Sequence, residues 1–175
     1  MAVSCGFAHS SAVTQDGRLY VWGSGWDGAL GLGDHEHQRL PQNIETERLG
    51  GARVLMAVCG DSHTMALTEC GVLWAWGNGG NGRLGDRSTS ERLRPLVVGF
   101  GGERLAQVAA GVHHSAAVTE RGHLYMWGSN DGCRLGVGDE EVEELLVPTK
   151  IAPAIFGSRV TMVACGGRHT CAVTG

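Results

Sequence analysis

A chain of 175 residues carries 14 Lys and Arg against 18 Asp and Glu, a net charge of −4, which excludes the basic patch that nucleic acid or an anionic membrane surface requires. No apolar run approaches the ~20 residues of a membrane helix, and the N-terminus lacks the pattern of a secretory leader. Glycine is the unusual component at 29 residues, while charged residues make up only 18%; that balance excludes helical bundles and points to short strands joined by tight turns.

Along the chain one pattern returns. Cys5-Gly-Phe-Ala-His9-Ser-Ser-Ala-Val-Thr14 is followed by Gly17-Arg-Leu-Tyr-Val-Trp22-Gly23. The second copy is Cys59-Gly-Asp-Ser-His63-Thr-Met-Ala-Leu-Thr68 with Gly71-Val-Leu-Trp-Ala-Trp76-Gly77. The third is Ala110-Gly-Val-His-His114-Ser-Ala-Ala-Val-Thr119 with Gly122-His-Leu-Tyr-Met-Trp127-Gly128. A fourth begins at Cys165-Gly-Gly-Arg-His169-Thr-Cys-Ala-Val-Thr174. The histidine advances by 54, 51 and 55 residues, a period of repeat architectures.

Within a period the apolar residues alternate, as in strands. Arg53–Cys59 and Arg104–Ala110 read as a first, buried strand, and His63–Thr68 and His114–Thr119 as a second. Gln15-Asp16-Gly17, Glu69-Cys70-Gly71 and Glu120-Arg121-Gly122 read as hairpin turns in which glycine supplies a positive φ. The Leu-Tyr/Trp-x-Trp-Gly segment is a third strand. A fourth surrounds Pro41, Pro95 and Pro148, which belong on an edge because proline cannot donate to a ladder. Four strands every ~50 residues, the last at an edge, make a propeller blade. The expected fold is therefore all-β, a partial β-propeller of three four-stranded antiparallel blades plus a partial fourth. The expected repeats are 1–52, 53–103, 104–158 and an incomplete 159–175.

The recurring residues read as scaffold. His9, His63, His114 and His169 are expected to hydrogen-bond backbone across strands or blades rather than to catalyse or ligate. A Cys-x3-His pair alone is not a zinc site. Asp34-His35-Glu36-His37 is a local set of ligand-type residues on a predicted loop. No metal and no cofactor is assigned. Trp22, Trp76 and Trp127 are expected to fill the space between blades, with Trp74 serving in the same way. Without a secretory leader, all six cysteines read as reduced thiols of a cytoplasmic or nuclear protein. The run Gly77–Gly82 lacks the Lys-Ser/Thr of a phosphate loop, and Asp139–Glu144 reads as a solvated acidic loop.

These motifs resemble the regulator of chromosome condensation repeat family. The resemblance implies a seven-bladed ring, of which this chain holds about half, so it reads as a segment of a larger ring. A partial ring leaves two apolar flanks, and self-association through them is expected. In family members that exchange nucleotide on a small GTPase, the position just before the repeated histidine contributes an aspartate in one blade and a histidine in another. Here it holds Ala8, Ser62, His113 and Arg168, so His113 fits and the aspartate is absent, Asp61 lying one residue early. Photoreceptors of the family carry Gly-Trp-Arg-His-Thr; Gly166-Gly167-Arg168-His169-Thr170 has glycine in place of that tryptophan.

Residues that differ at recurrent positions are free of the scaffold's demands. Phe7, Asp61, Ser62, His113 and Arg168 fall on the connections between first and second strands, on one rim. Trp26, which does not recur, is the indole expected near the surface. Together they are the candidate partner-binding residues. The expected function is a non-enzymatic protein–protein interaction module. The alternatives are guanine-nucleotide exchange on a small GTPase of the Ran type, and the partner-recognition part of a large ubiquitin ligase. The expected partner is a protein, with no nucleic acid and no membrane.

Overall fold

In the computed structural model, which describes residues 1–152 and 157–175, the described residues form fourteen strands and four short 3-10 turns. The first sheet is β1 (Ala2–Cys5), β2 (His9–Val13), β3 (Leu19–Gly23) and β4 (Gln38–Ile44). The second is β5 (Val54–Cys59), β6 (His63–Thr68), β7 (Leu73–Gly77) and β8 (Arg92–Val98). The third is β9 (Leu105–Ala110), β10 (His114–Thr119), β11 (Leu124–Ser129) and β12 (Glu144–Lys150). β13 (Val160–Cys165) and β14 (Thr170–Thr174) make a two-stranded fourth. Each sheet is antiparallel with its strands in chain order. The end of the third expected repeat runs through residues 153–156, which lie outside the described residues.

Local chemistry explains the elements. Gly17, Gly71 and Gly122 take φ of +81°, +74° and +80° at the tips of the β2–β3, β6–β7 and β10–β11 hairpins, as expected from the turn sequences. Pro41, Pro95 and Pro148 each sit where the fourth strand shifts register against the third. Val21 opposes Gln42 and Gly23 opposes Gln38 around Pro41, and the same shift surrounds Pro95 and Pro148. A bulge at an outer strand leaves no ladder bond for the missing N–H to make. The glycine run after Trp76 contains a 3-10 turn at Gly80–Gly82, with counterparts at Trp26–Gly28 and Asp131–Cys133. The sequence reading had no helix there.

The apolar core lies between sheets rather than within one. Val13, Leu19, Val21 and Ile44 of the first sheet, with Leu30 from the segment between β3 and β4, pack with Val54, Ala57, Ala66 and Trp76 of the second. Met65, Leu67, Leu73 and Leu84 pack with Leu105, Val108, Ala117 and Trp127. Ala116, Met126 and Leu135 close the third seam with Val160 and Val163. Burial follows position: β6 and β10, sandwiched between neighbours, are buried at every residue, whereas β14 is largely exposed.

Two expectations about burial need correction. The first strands are not wholly buried, because Val3, Leu55 and Met162 are exposed. Val3 and Met162 hold the registers of Ala57 and Met56, which pack into the seams, and they are exposed because no further described sheet covers either end face. Trp22 is only half-buried, while Trp76 and Trp127 are fully enclosed. An indole on the outer face of the first sheet has no preceding sheet to cover it.

The seams are tied by a repeated polar unit. Trp76 Nε1 and Thr64 Oγ1 both donate to the Ala29 carbonyl, at 2.9 and 2.8 Å. Trp127 Nε1 and Ser115 Oγ do the same to the Arg83 carbonyl, at 2.9 and 2.8 Å. The hydroxyl's one proton is thereby used, so its lone pairs accept from the previous blade's histidine: His9 Nε2 to Thr64 at 2.8 Å, His63 Nε2 to Ser115 at 2.9 Å, His114 Nε2 to Thr170 at 2.9 Å. The histidines thus reach a neighbouring hydroxyl, which relays to backbone, instead of bonding backbone directly as expected. Glycine precedes each of them by three residues because the ring lies over it. A Cβ on Gly60 would overlap His63 Cε1 and the Gly111 carbonyl.

Candidate partner-binding rim

The connections between first and second strands gather on one rim, where Phe7 N–H donates to the Asp61 carbonyl and Asp61 N–H to the Gly111 carbonyl, both at 3.3 Å. This chain of blade-to-blade bonds places Phe7, Asp61 and Ser62 side by side, with His113 next along and Arg168 on the fourth connection. Phe7 is 82% exposed, Arg168 is exposed, and Asp61, Ser62 and His113 are half-buried.

Trp26 joins them from the 3-10 turn after β3. It is 67% exposed, yet it is held: its N–H donates to Ser24 Oγ at 3.2 Å, and its ring meets His37 edge-on at 5.5 Å. His37 is fixed in turn, its Nδ1 accepting from Gly25 N–H at 3.0 Å. His35 instead pairs with Glu91 at 3.2 Å, across in the second sheet. The two histidines of the Asp34–His37 set therefore have separate structural partners.

Phe7, Trp26, Asp27, Asp61 and Ser62 border one cavity of about 230 Å³. Asp27 was not singled out in the sequence, although a signal existed: it stands where the other turns have Asn81 and Gly132, in the left-handed region at φ +56°. Behind this cavity lies Arg83, 4% exposed. Its Nε donates to the Gly80 carbonyl at 2.9 Å, and its Nη1 to Ser62 Oγ and the Val112 carbonyl, both at 3.1 Å. Burial lowers its pKa, and Asp27 and Asp61 oppose that.

Arg134 occupies Arg83's place in the third blade, with Nε on the Asp131 carbonyl at 2.6 Å and Nη2 on the Asp131 carboxylate. Its Nη1 is buried without a partner among the described residues, as is His113 Nδ1. Burial, with Arg83 and Arg134, pulls His113 below the usual imidazole value, against Asp61. The rim is thus acidic and aromatic over the first two blades and carries the exposed Arg168 on the fourth connection, while Arg134, like Arg83, is buried beneath it.

Of the recurrent histidines, His9, His63 and His114 are buried beneath the rim, whereas His169 is exposed. Burial brings His9 and His114 down to about 4, and His63 well below its ordinary value, so all three are neutral donors near pH 7. All six cysteines are free thiols. Among the described residues no three His, Cys, Asp or Glu side chains converge on a metal position, and no helix is long and apolar enough to cross a membrane. The acidic residues of the Asp139–Glu144 segment are mostly exposed.

A family model described as the regulator of chromosome condensation (RCC1) repeat matches residues 16–67, 71–118 and 121–173, and a second model of the same repeat matches 2–28, 57–83 and 105–133. The human E3 ubiquitin-protein ligase HERC2 is 41% identical over 98% of this chain, which spans 4% of that protein. The ultraviolet-B receptor UVR8 of Arabidopsis thaliana is 41% identical over 98% of the chain, which spans 38% of it. Among solved structures, human WBSCR16 superposes with a TM-score of 0.91 at 29% identity, covering 100% of this chain and 45% of that one. Prp20p of Saccharomyces cerevisiae superposes at 0.86 with 24% identity, covering 98% and 42%.

Proposed function

The chain belongs to the regulator of chromosome condensation (RCC1) repeat family, and from that premise we propose that it is a non-enzymatic protein-interaction module, working in the cytoplasm or nucleus and presenting its rim to a protein partner. One observation carries this reading. The scaffold residues recur and are buried, whereas Phe7 and Trp26 do not recur and stay in water at a cost that burial against a partner would recover. A rigid frame with variable connections is how binding surfaces are built on repeat folds.

The test places a photo-crosslinking residue at Phe7, and separately at Arg121 on the hairpin tips at the opposite end of the sheets. Capture of a discrete protein from Phe7 and not from Arg121, lost in His113→Ala or Arg168→Ala, is the expected result. Equal capture from both ends would overturn the rim assignment.

A second reading has an observation in its favour. The likeness to HERC2 supports a role as the partner-recognition part of a large ubiquitin ligase, tested by reading the parent open reading frame for a catalytic domain. Nucleotide exchange on a Ran-type GTPase has the match at His113 alone, and accelerated release of a fluorescent nucleotide at catalytic ratios is its test. Photoreception is not proposed, since Gly167 stands where the resemblance calls for tryptophan.

A further inference from the structure

We propose that the cavity between Phe7, Trp26, Asp27 and Asp61 is a receptor for a single cationic side chain, a lysine or arginine on a basic segment of the partner. The inference rests on the rim reading above and gives it a ligand chemistry.

Three observations converge. Two large aromatic side chains, 82% and 67% exposed, border the same cavity of about 230 Å³. Aromatic faces hold a cation through their quadrupole, and tryptophan does so best. Two half-buried carboxylates, Asp27 and Asp61, border it as well. Neither forms an ion pair among the described residues.

The neighbouring cations do not cancel this charge. Arg83 feels both carboxylates, but its guanidinium is spent on Gly80, Ser62 and Val112. One positive charge against two negative ones leaves the cavity net negative. His9, on the cavity wall, is a neutral donor committed to Thr64.

Other ligand classes fit worse. An anion would meet two carboxylates, and a purely apolar group would bury them unpaired. A divalent cation needs more oxygen ligands than two carboxylates supply, and no three ligating side chains of the usual kinds converge among the described residues.

The site is specific to this seam. At the next seam the positions of Phe7, Trp26 and Asp27 hold Asp61, Gly80 and Asn81, so neither the aromatic walls nor the second carboxylate is reproduced. The Trp26 wall is also held in place before any ligand arrives. Trp26 packs on His37, and the left-handed backbone at Asp27 is set by a turn whose Gly28 has no room for a Cβ beside Leu93. A rigid aromatic wall binds with little loss of side-chain freedom.

The experiment follows the Trp26 indole N–H by proton–nitrogen NMR in the full chain. The probes are the N-acetyl, methylamide forms of arginine, lysine, norleucine and glutamate, each at up to tens of millimolar. A saturable shift of Trp26 with arginine or lysine is expected, at least tenfold weaker with norleucine and absent with glutamate. It should weaken at least threefold between 50 and 500 mM salt. Asp61→Asn and Asp27→Asn should each weaken it about fivefold while leaving the rest of the spectrum in place.

Equal response to norleucine, or no loss in both asparagine variants, would overturn the cation assignment. So would the absence of any saturable shift. If the cations fail while crosslinking from Phe7 still captures a partner, the rim reading stands and only the ligand chemistry falls.

Discussion

His63 Nε2 reaches Ser115 Oγ at 2.9 Å from one blade to the next. That serine's O–H donates a hydrogen bond to the Arg83 carbonyl, which also accepts from the Trp127 indole N–H. A buried carbonyl, a hydroxyl, an indole and an imidazole from two blades thus satisfy one another where water cannot reach. The whole unit recurs at the first seam, and at the third it recurs without the indole, so blade-to-blade attachment is set by hydrogen-bond geometry as well as by apolar packing.

Ser115→Ala leaves His63 Nε2–H without an acceptor in a fully buried position, and should cost about 1–3 kcal/mol. Ser10→Ala, on the outer face of the first blade, should cost under about 0.5 kcal/mol. Urea denaturation with an unchanged m-value is the measurement. Equal effects would show that the relay adds nothing to the seam.

Stability should fall as pH falls from about 6.5 toward about 4. In the folded chain burial holds His9 and His114 neutral down to about 4, while in the unfolded chain they take up protons near 6.5. The unfolded state therefore binds more protons in that window, and protonation favours it. The carboxylates with lowered values, Asp16 and Glu103, add to the loss only below the ordinary carboxylate range. Thermal melting at pH 7.5, 5.5 and 4.5 should show a steady decline that is shallower in His114→Gln. A flat profile above pH 5 would contradict the buried, neutral assignment.

Trp127→Phe and Trp22→Phe are the same change at equivalent positions. Trp127 is fully enclosed and donates to the Arg83 carbonyl, so its loss should cost about 2–3 kcal/mol through cavity and hydrogen bond together. Trp22, half-buried on an end face, should cost less than half as much. Chemical denaturation of the pair decides it, and equal costs would mean that another molecule covers Trp22.

The end faces expose Val3, Leu40, Met162 and Val173, and β14 has no partner on its outer side among the described residues. Association of copies through these faces is the expected consequence, since apolar flanks and free strand edges recruit cover. Light scattering at micromolar concentration should return a mass above 18.4 kDa that falls on dilution. A monomer at every concentration would refute it.

Much was legible in the residues alone. The spacing of His9, His63, His114 and His169, the glycines at hairpin tips and the off-ladder prolines determined an all-β chain of repeated four-stranded sheets. Period-two patterning and turn chemistry are local properties, and a repeat displays them several times over. Phe7, Asp61, Ser62, His113 and Arg168 were marked as rim residues by the same logic, as differences at fixed positions.

Only the tertiary structure decided what the histidines bond, because their partners lie 52 to 56 residues away on another sheet. Only it brought Asp27 beside Asp61 and Phe7 beside Trp26. These residues come from a strand connection, a 3-10 turn and the next blade, and the angle at which neighbouring sheets pack determines which of them share a cavity. The solvation of Trp22 against the burial of Trp76 and Trp127 was decided there as well. The same motif is core or surface according to whether another sheet stands over it.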